Sequence, residues 1–244
     1  MRILLINPNT TSDVTDIVAG HARRIAGDVA QFVPVTGRFG ARYISTRAAA
    51  AIAGHAALDA MADHVTGCDA IYLACFGDPG LLALREIAPV PVVGMAEAAC
   101  YAACERGQRF SIVTGGVLWG PMLEEFVAMI GLGDRLASVR TIAPTGGQIA
   151  QNPEAALADL AAACETCARE DKADVVILGG AALAGLAERI QPHVSVPVIC
   201  SVEAGTHAVI AAARAGGAVP GGAATQSIGL SEALAGMLAK VPLS

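Results

Sequence analysis

The chain has 244 residues, 54% of them apolar and 16% charged, and a formal net charge of −6. That length allows one large α/β domain or two smaller ones with a substantial buried core. The acidic balance counts against a nucleic-acid or anionic-lipid partner, and no apolar block reaches the ~18–20 residues of a membrane span.

Taken in order, Arg2–Asn7 is a short apolar run ending in Asn-Pro-Asn-Thr-Thr-Ser, the pattern of a buried strand entering a turn. No secretory-signal pattern precedes it, so a cytoplasmic protein is expected. Thr11, Ser12 or Asp13 can cap a helix running to about Ala26. Asn9 and Thr10 fall where a helix N-terminus points free N–H groups toward the strand ends, a position suited either to capping or to substrate contact. A strand at 30–35, a polar glycine-containing loop at 37–45 and a helix at 46–65 follow. Residues 69–74 read as a strand that delivers Cys75 into the bend Phe76-Gly77-Asp78-Pro79-Gly80. A short helix at 79–86, a strand at 90–94 and a helix at 96–106 complete the first half.

Residues 109–114 restart the pattern as an apolar strand meeting Gly115-Gly116. A helix at 119–130, a strand at 136–142, a long Ala-rich helix at 153–171, strands at 174–178 and 196–200 and a helix from about 203 are predicted. Strands alternating with helices imply mainly parallel sheets with covered faces.

The halves repeat. Asp69-Ala-Ile-Tyr-Leu-Ala-Cys-Phe-Gly aligns with Asp174-Val-Val-Ile-Leu-Gly-Gly-Ala-Ala at an offset of 105 (174 − 69). Val90-Pro-Val-Val aligns with Val196-Pro-Val-Ile at 106 (196 − 90), and the strand at Arg2 with that at Arg109 at 107 (109 − 2). Three blocks at nearly one offset describe two α/β units whose strand C-termini face a shared cleft, where open parallel sheets bind ligands. Cys75 then stands on one wall, and its counterpart on the other is Gly180.

Seven cysteines (68, 75, 100, 104, 164, 167 and 200) without a secretory signal are expected to be reduced thiols. The pairs Cys100/Cys104 and Cys164/Cys167 lie in helical stretches and read as small buried hydrophobes; no metal site is expected, because two further ligands are missing. Cys75 differs by its place on a glycine bend. Free backbone N–H groups there would lower its pKa toward neutrality and let Gly77 and Gly80 donate to an oxyanion. Thiolate plus N–H donors suits removing a proton next to a carbonyl. A plain buried strand-end cysteine is the competing reading, and no histidine makes a Cys-His signature with it.

Asn7-Pro-Asn-Thr-Thr11, Ala74-Cys-Phe-Gly-Asp-Pro-Gly-Leu81, Val90-Pro-Val-Val-Gly-Met-Ala-Glu97 and Phe110-Ser-Ile-Val-Thr114 together resemble the Asp/Glu/hydantoin racemase superfamily, and within it the hydantoin and allantoin racemases. The resemblance implies two pseudo-symmetric flavodoxin-like, Rossmann-like α/β lobes with the active site between them. It also implies no metal or pyridoxal cofactor, a small-molecule substrate and a homo-oligomer. On this basis residues 1–106 form the first lobe, 107–215 the second, and 216–244 a C-terminal segment and helix packing back on the first. The implied mechanism places one cysteine on each face of the substrate; one takes the α-proton while the other returns one.

The sequence departs from that pattern at the second cysteine. Leu178-Gly-Gly-Ala-Ala-Leu183 puts Gly180 where the second thiol belongs, the following strand ends in Cys200 rather than Asp, and Gly115-Gly116 replace small polar residues. The expected site comprises Cys75 as acid/base, Asn9, Thr10, Phe76, Gly77, Asp78, Thr114, Gly115, Gly180 and Ala181 as substrate contacts, and Cys200 as a possible second acid/base. Asp78 has an alternative role as a cap of the short helix after it. The expected activity is racemisation of a hydantoin, allantoin or related carbon acid. Its alternatives are a one-cysteine lyase of the arylmalonate decarboxylase type, a single-face epimerase, and a binding homologue without catalysis.

Overall fold

The computed structural model describes residues 1–217 and 223–240. The apolar run Arg2–Asn7 is strand β1, buried from Ile3 onward, because helices cover both of its faces and no alternation is needed. It is followed by α1 (Ser12–Ala26), β2 (Gln31–Thr36), α2 (Arg47–His64), β3 (Ala70–Leu73), α3 (Leu81–Ile87), β4 (Val92–Gly94) and α4 (Met95–Arg106). The second half runs β5 (Phe110–Gly115), α5 (Trp119–Met129), β6 (Leu136–Ile142), α6 (Gly146–Gln151), α7 (Pro153–Arg169), β7 (Val175–Leu178), α8 (Leu186–Ile190), β8 (Val198–Cys200) and α9 (Ser201–Ala215). Helix α10 (Glu232–Leu238) closes the described chain.

Two four-stranded parallel sheets result, with orders β2-β1-β3-β4 and β6-β5-β7-β8. The registers match as well. Ile6 lies opposite Leu73 and Leu73 opposite Gly94 in the first sheet, while Val113 lies opposite Leu178 and Leu178 opposite Cys200 in the second. The repeat read from sequence is therefore a repeat of topology and register, and it makes Asn7 equivalent to Thr114, Cys75 to Gly180, and Gly94 to Cys200. In each sheet the chain reverses its direction of travel between the two central strands, which opens a crevice at their carboxyl ends.

The sheets are not wrapped separately. Helix α4, which follows the first sheet, packs on β7 and β8 of the second, whereas α9, which follows the second, packs on β3 and β4 of the first. The two helices also pack on each other, and one core cluster runs from Ile3 and Tyr72 through Met95 and Cys100 to Val176 and Val209. This shared core fixes the orientation of the two walls. Of the C-terminal segment expected at 216–244, residues 218–222 and 241–244 lie outside the described residues; α10 packs on α2, with Leu234 buried in the cluster under β1 and β3.

Two helices escaped the sequence reading. Helix α6 is short but announced by its capping box, in which Thr145 Oγ1 accepts from the Gln148 N–H while Gln148 Oε1 accepts from the Thr145 N–H. Helix α8 follows Gly185 in the left-handed conformation (φ 80°), a close approach made possible by glycine, since a Cβ there would strike the His21 ring of α1.

Candidate active site

Asn7 at the end of β1 organises the first wall. Its Nδ2 donates to Asn9 Oδ1 (2.9 Å) and Thr15 Oγ1 (2.9 Å), and Asn9 Oδ1 also accepts from the Thr11 N–H (2.8 Å). Thr11 occupies the N-cap position of α1 but gives its hydroxyl to the Arg42 carbonyl, so it makes no side-chain cap, and Asn9 instead fixes the turn before the helix. With Oδ1 committed, Asn9 keeps its Nδ2 facing the cleft, and no described residue accepts from it.

Beyond β3 the chain bends as the sequence indicates. Gly77 has φ 109°, and a Cβ on it would lie 2.7 Å from the Trp119 ring, so only glycine lets the indole of the second half lie across the bend. The Asp78 N–H donates to the Cys75 carbonyl (3.0 Å), while the N–H groups of Phe76 and Gly77 have no acceptor among the described residues. Unpaired N–H groups of this kind can donate to an oxyanion that reaches them.

A cavity of about 120 Å³ lies between the two sheets' carboxyl ends. Cys75 and Phe76 come to it from the first half, and Thr114, Gly115, Gly116, Gly180 and Ala181 from the second. Cys75 and Gly180 thus line one cavity from equivalent positions of the repeat. Val14, Tyr43, Ile44, Ser45, Trp119, Thr145, Gly146, Ala182 and Leu183 complete the lining. Reading the sequence missed all nine. The loop at 37–45 was read as an element, but nothing local showed that it meets the start of α6, where Tyr43 lies over Gly147.

Four expected residues lie elsewhere. Thr10 gives its N–H to the Ala41 carbonyl (3.1 Å) and does not line the cavity, and Gly77 lies under Trp119. Asp78 is buried and accepts from the Ala96 N–H (2.9 Å) and the Glu97 N–H (2.8 Å). It therefore caps α4, not the short helix next to it; Gly94 makes this possible, since a Cβ there would come within 2.2 Å of the carboxylate. Cys200 is buried in the shared core beside Tyr72, whose phenol is pushed well up by burial first and by Cys200 and Asp78 after it. Because Cys200 does not line the cavity, it is not placed to substitute for a thiol at 180.

The electrostatics also correct the sequence reading. Burial, followed by the Asp78 carboxyl, pushes the Cys75 thiol well above its ordinary value instead of lowering it. Asp78 itself is pushed up by burial to about 7, against the two helix N–H groups that favour its charged form. At rest Cys75 is a protonated thiol, poised to give a proton. None of the cavity-lining side chains is ionised or cationic, and no three His, Cys, Asp or Glu side chains gather into a metal-binding group among the described residues.

A parallel two-sheet α/β protein with a thiol at the switch-point cleft is the class this geometry defines. The chain belongs to the Asp/Glu/hydantoin racemase family, whose model matches residues 3–209. It is 34% identical over 206 residues to a hydantoin racemase of Pseudomonas sp. (strain NS671), spanning 84% of this chain and 83% of that protein. It is 35% identical over 208 residues to a hydantoin racemase of Paenarthrobacter aurescens, spanning 84% and 87%. Its structure is similar to that of an allantoin racemase from Pseudomonas fluorescens, with a TM-score of 0.86, 31% identity and 96% of each chain covered. No helix among the described residues is long and apolar enough to cross a membrane.

Proposed function

We propose that the chain is an isomerase of the hydantoin racemase type, which moves a proton at the carbon next to a carbonyl of a small neutral ring. One observation carries the reading: Cys75 and Gly180, equivalent residues of the two halves, line the same cavity. Cys75 serves the substrate's first face, passing its proton to an enolate or, once ionised, taking the α-proton. The Phe76 N–H stabilises the enolate oxygen, and the Asn9 amide orients the ring. The absence of ionised lining groups selects a neutral substrate, because a free amino acid would leave its carboxylate and ammonium unpaired in a buried space. A 5-alkyl hydantoin meets both conditions.

Gly180 supports a second reading, a one-cysteine lyase in which loss of CO₂ forms the enolate and Cys75 protonates one face. Incubating each pure enantiomer of a 5-alkyl hydantoin in D₂O, with Cys75→Ser as control, separates the two. Deuterium uptake that depends on Cys75 supports the isomerase. CO₂ release from a disubstituted malonate, without uptake into the hydantoin, overturns it in favour of the lyase.

A further inference from the structure

Gly180 carries no group that can exchange a proton with the substrate's second face, yet the space beside it is bounded by a hydroxyl. A Cβ built on Gly180 would lie 3.7 Å from Thr114 Oγ1 and 3.4 Å from Leu183 Cγ and Cδ1, all of them ordinary contact distances. The Gly180 backbone is fixed, its N–H donating to Ser201 Oγ (3.1 Å) and its carbonyl accepting from the Leu183 N–H (3.0 Å). The space is thus held open by hydrogen bonds on both sides of the residue.

Thr114 stands at the end of β5, is 5% exposed and lines the cavity. Its hydroxyl makes no hydrogen bond with any described residue. The repeat makes this informative. Asn7, the equivalent residue of the first half, is fully buried and spends its amide on Asn9, Thr11 and Thr15. The same strand position that braces a turn on one wall presents an uncommitted hydroxyl to the cavity on the other.

Resting on the isomerase reading above, we propose that Thr114 is the positioning residue for the second face. It holds a water molecule in the space that a side chain at 180 would fill, and that water is the proton donor there. The nearest atoms to a Cβ at 180 lie 3.4–3.7 Å away, so a water-sized atom fits in that space. The Cys75 thiolate takes the α-proton, so that the C–H bond breaks and the S–H bond forms. The enolate then takes a proton from the water on the opposite face, one O–H bond breaking as the new C–H bond forms. The hydroxide left behind is neutralised by the thiol's proton through solvent, restoring the thiolate. Reversal of each step runs the other enantiomer. Because water is a far weaker acid than a positioned thiol, reprotonation of the original face by a thiol whose proton has first swapped with solvent competes well, and exchange outruns inversion.

The test uses the whole chain with an enantiopure 5-alkyl hydantoin in D₂O. It measures deuterium in the recovered starting enantiomer against formation of the opposite one. Thr114→Val keeps the shape and removes the hydroxyl; it should lower the ratio of inversion to exchange about tenfold or more, while Thr114→Ser should restore the wild-type ratio. An unchanged ratio in Thr114→Val overturns the proposal, whether both rates persist or both fall together, and so does a Thr114→Ser chain that behaves like Thr114→Val. Absence of any Cys75-dependent exchange in the wild-type chain refutes the isomerase reading itself, and this proposal with it.

Discussion

Restoring a thiol at Gly180 is the sharpest perturbation the structure offers. Two opposing effects follow from the geometry at this position. The backbone of Gly180 has φ 143° and ψ 135°, a region that L residues rarely adopt, so any side chain there strains the chain by about 1–3 kcal/mol. In a chain of this size each kcal/mol lowers the melting temperature by about 2–4 °C, which gives a fall of about 2–12 °C. Space is not the obstacle, since the new Cβ would make only ordinary contacts with Leu183 and Thr114. Against the strain stands a second acid/base group facing the Cys75 cavity, and such groups typically contribute ~10²–10⁴-fold. Gly180→Ala carries the same strain with no thiol, so the ratio of Gly180→Cys to Gly180→Ala isolates the proton-transfer effect. The assay is loss of optical rotation from each pure enantiomer of a 5-alkyl hydantoin, beside a thermal melt. We expect both variants to melt lower than wild type and only Gly180→Cys to gain inversion, by ~10²-fold or more. Equal inversion rates in two folded variants would show that position 180 does not reach the substrate's second face.

Gly77→Ala should destabilise by about 1–3 kcal/mol, combining a φ of 109° with a 2.7 Å approach to Trp119, and Trp119→Ala on the same background should recover the steric part in a chemical-denaturation series; additive effects of the two changes would refute the contact. Asp78 gives a pH signature whose sign is opposite to that of an ion-paired carboxylate. Its folded pKa of about 7 lies above the ordinary unfolded value, so its contribution is complete below about pH 4 and is lost as pH rises to about 7. The stability of wild type relative to Asp78→Asn should therefore decline across that window and level off above it; a constant difference sinks the assignment. Proton abstraction by Cys75 requires a thiolate that burial disfavours, so Cys75-dependent exchange should keep rising into alkaline pH, and a plateau below pH 8 would show a thiol that is not perturbed upward.

Much of the fold was legible because its signals are local. Strand runs such as Arg2–Asn7, the Gly77–Gly80 bend and the offset repeat all lie within short windows, and the sheets follow them closely. What escaped depends on distant partners. The strand-end position of Cys75 was readable, but its high pKa comes from burial, among Ile44, Ala53 and Trp119, and then from the Asp78 carboxyl. Asp78 resembled a cap for the helix beside it, because the register that brings Gly94 and the start of α4 within reach belongs to the sheet. The exchange of α4 and α9 between sheets left no trace in sequence, since both are Ala-rich helices suited to either face.

The departures from symmetry form one coherent change. In the first half, Asp78 is buried against the start of α4, Gly94 makes room for it, and Cys75 is placed above. At the matching positions of the second half stand Leu183, Cys200 and Gly180. A leucine in place of the carboxylate needs no glycine to admit it, and a cysteine can fill the space that Gly94 leaves open. Leu183 in turn lies against the Gly180 backbone and forms an apolar floor beneath Thr114. A carboxylate at position 183 would be buried with Cys200 in the space that Gly94 leaves open for Asp78 in the first half, at the cost of a charge or a bound proton. Leucine avoids that burden and leaves the wall a neutral surface. The two walls therefore differ in kind: one is a polar, helix-capped support for a thiol, and the other a largely apolar surface on which Thr145 is committed to Gln148 and Thr114 keeps a free hydroxyl. A cleft built this way favours proton transfer on one face, which is why the ratio of exchange to inversion, rather than the rate of either, reports what this site does.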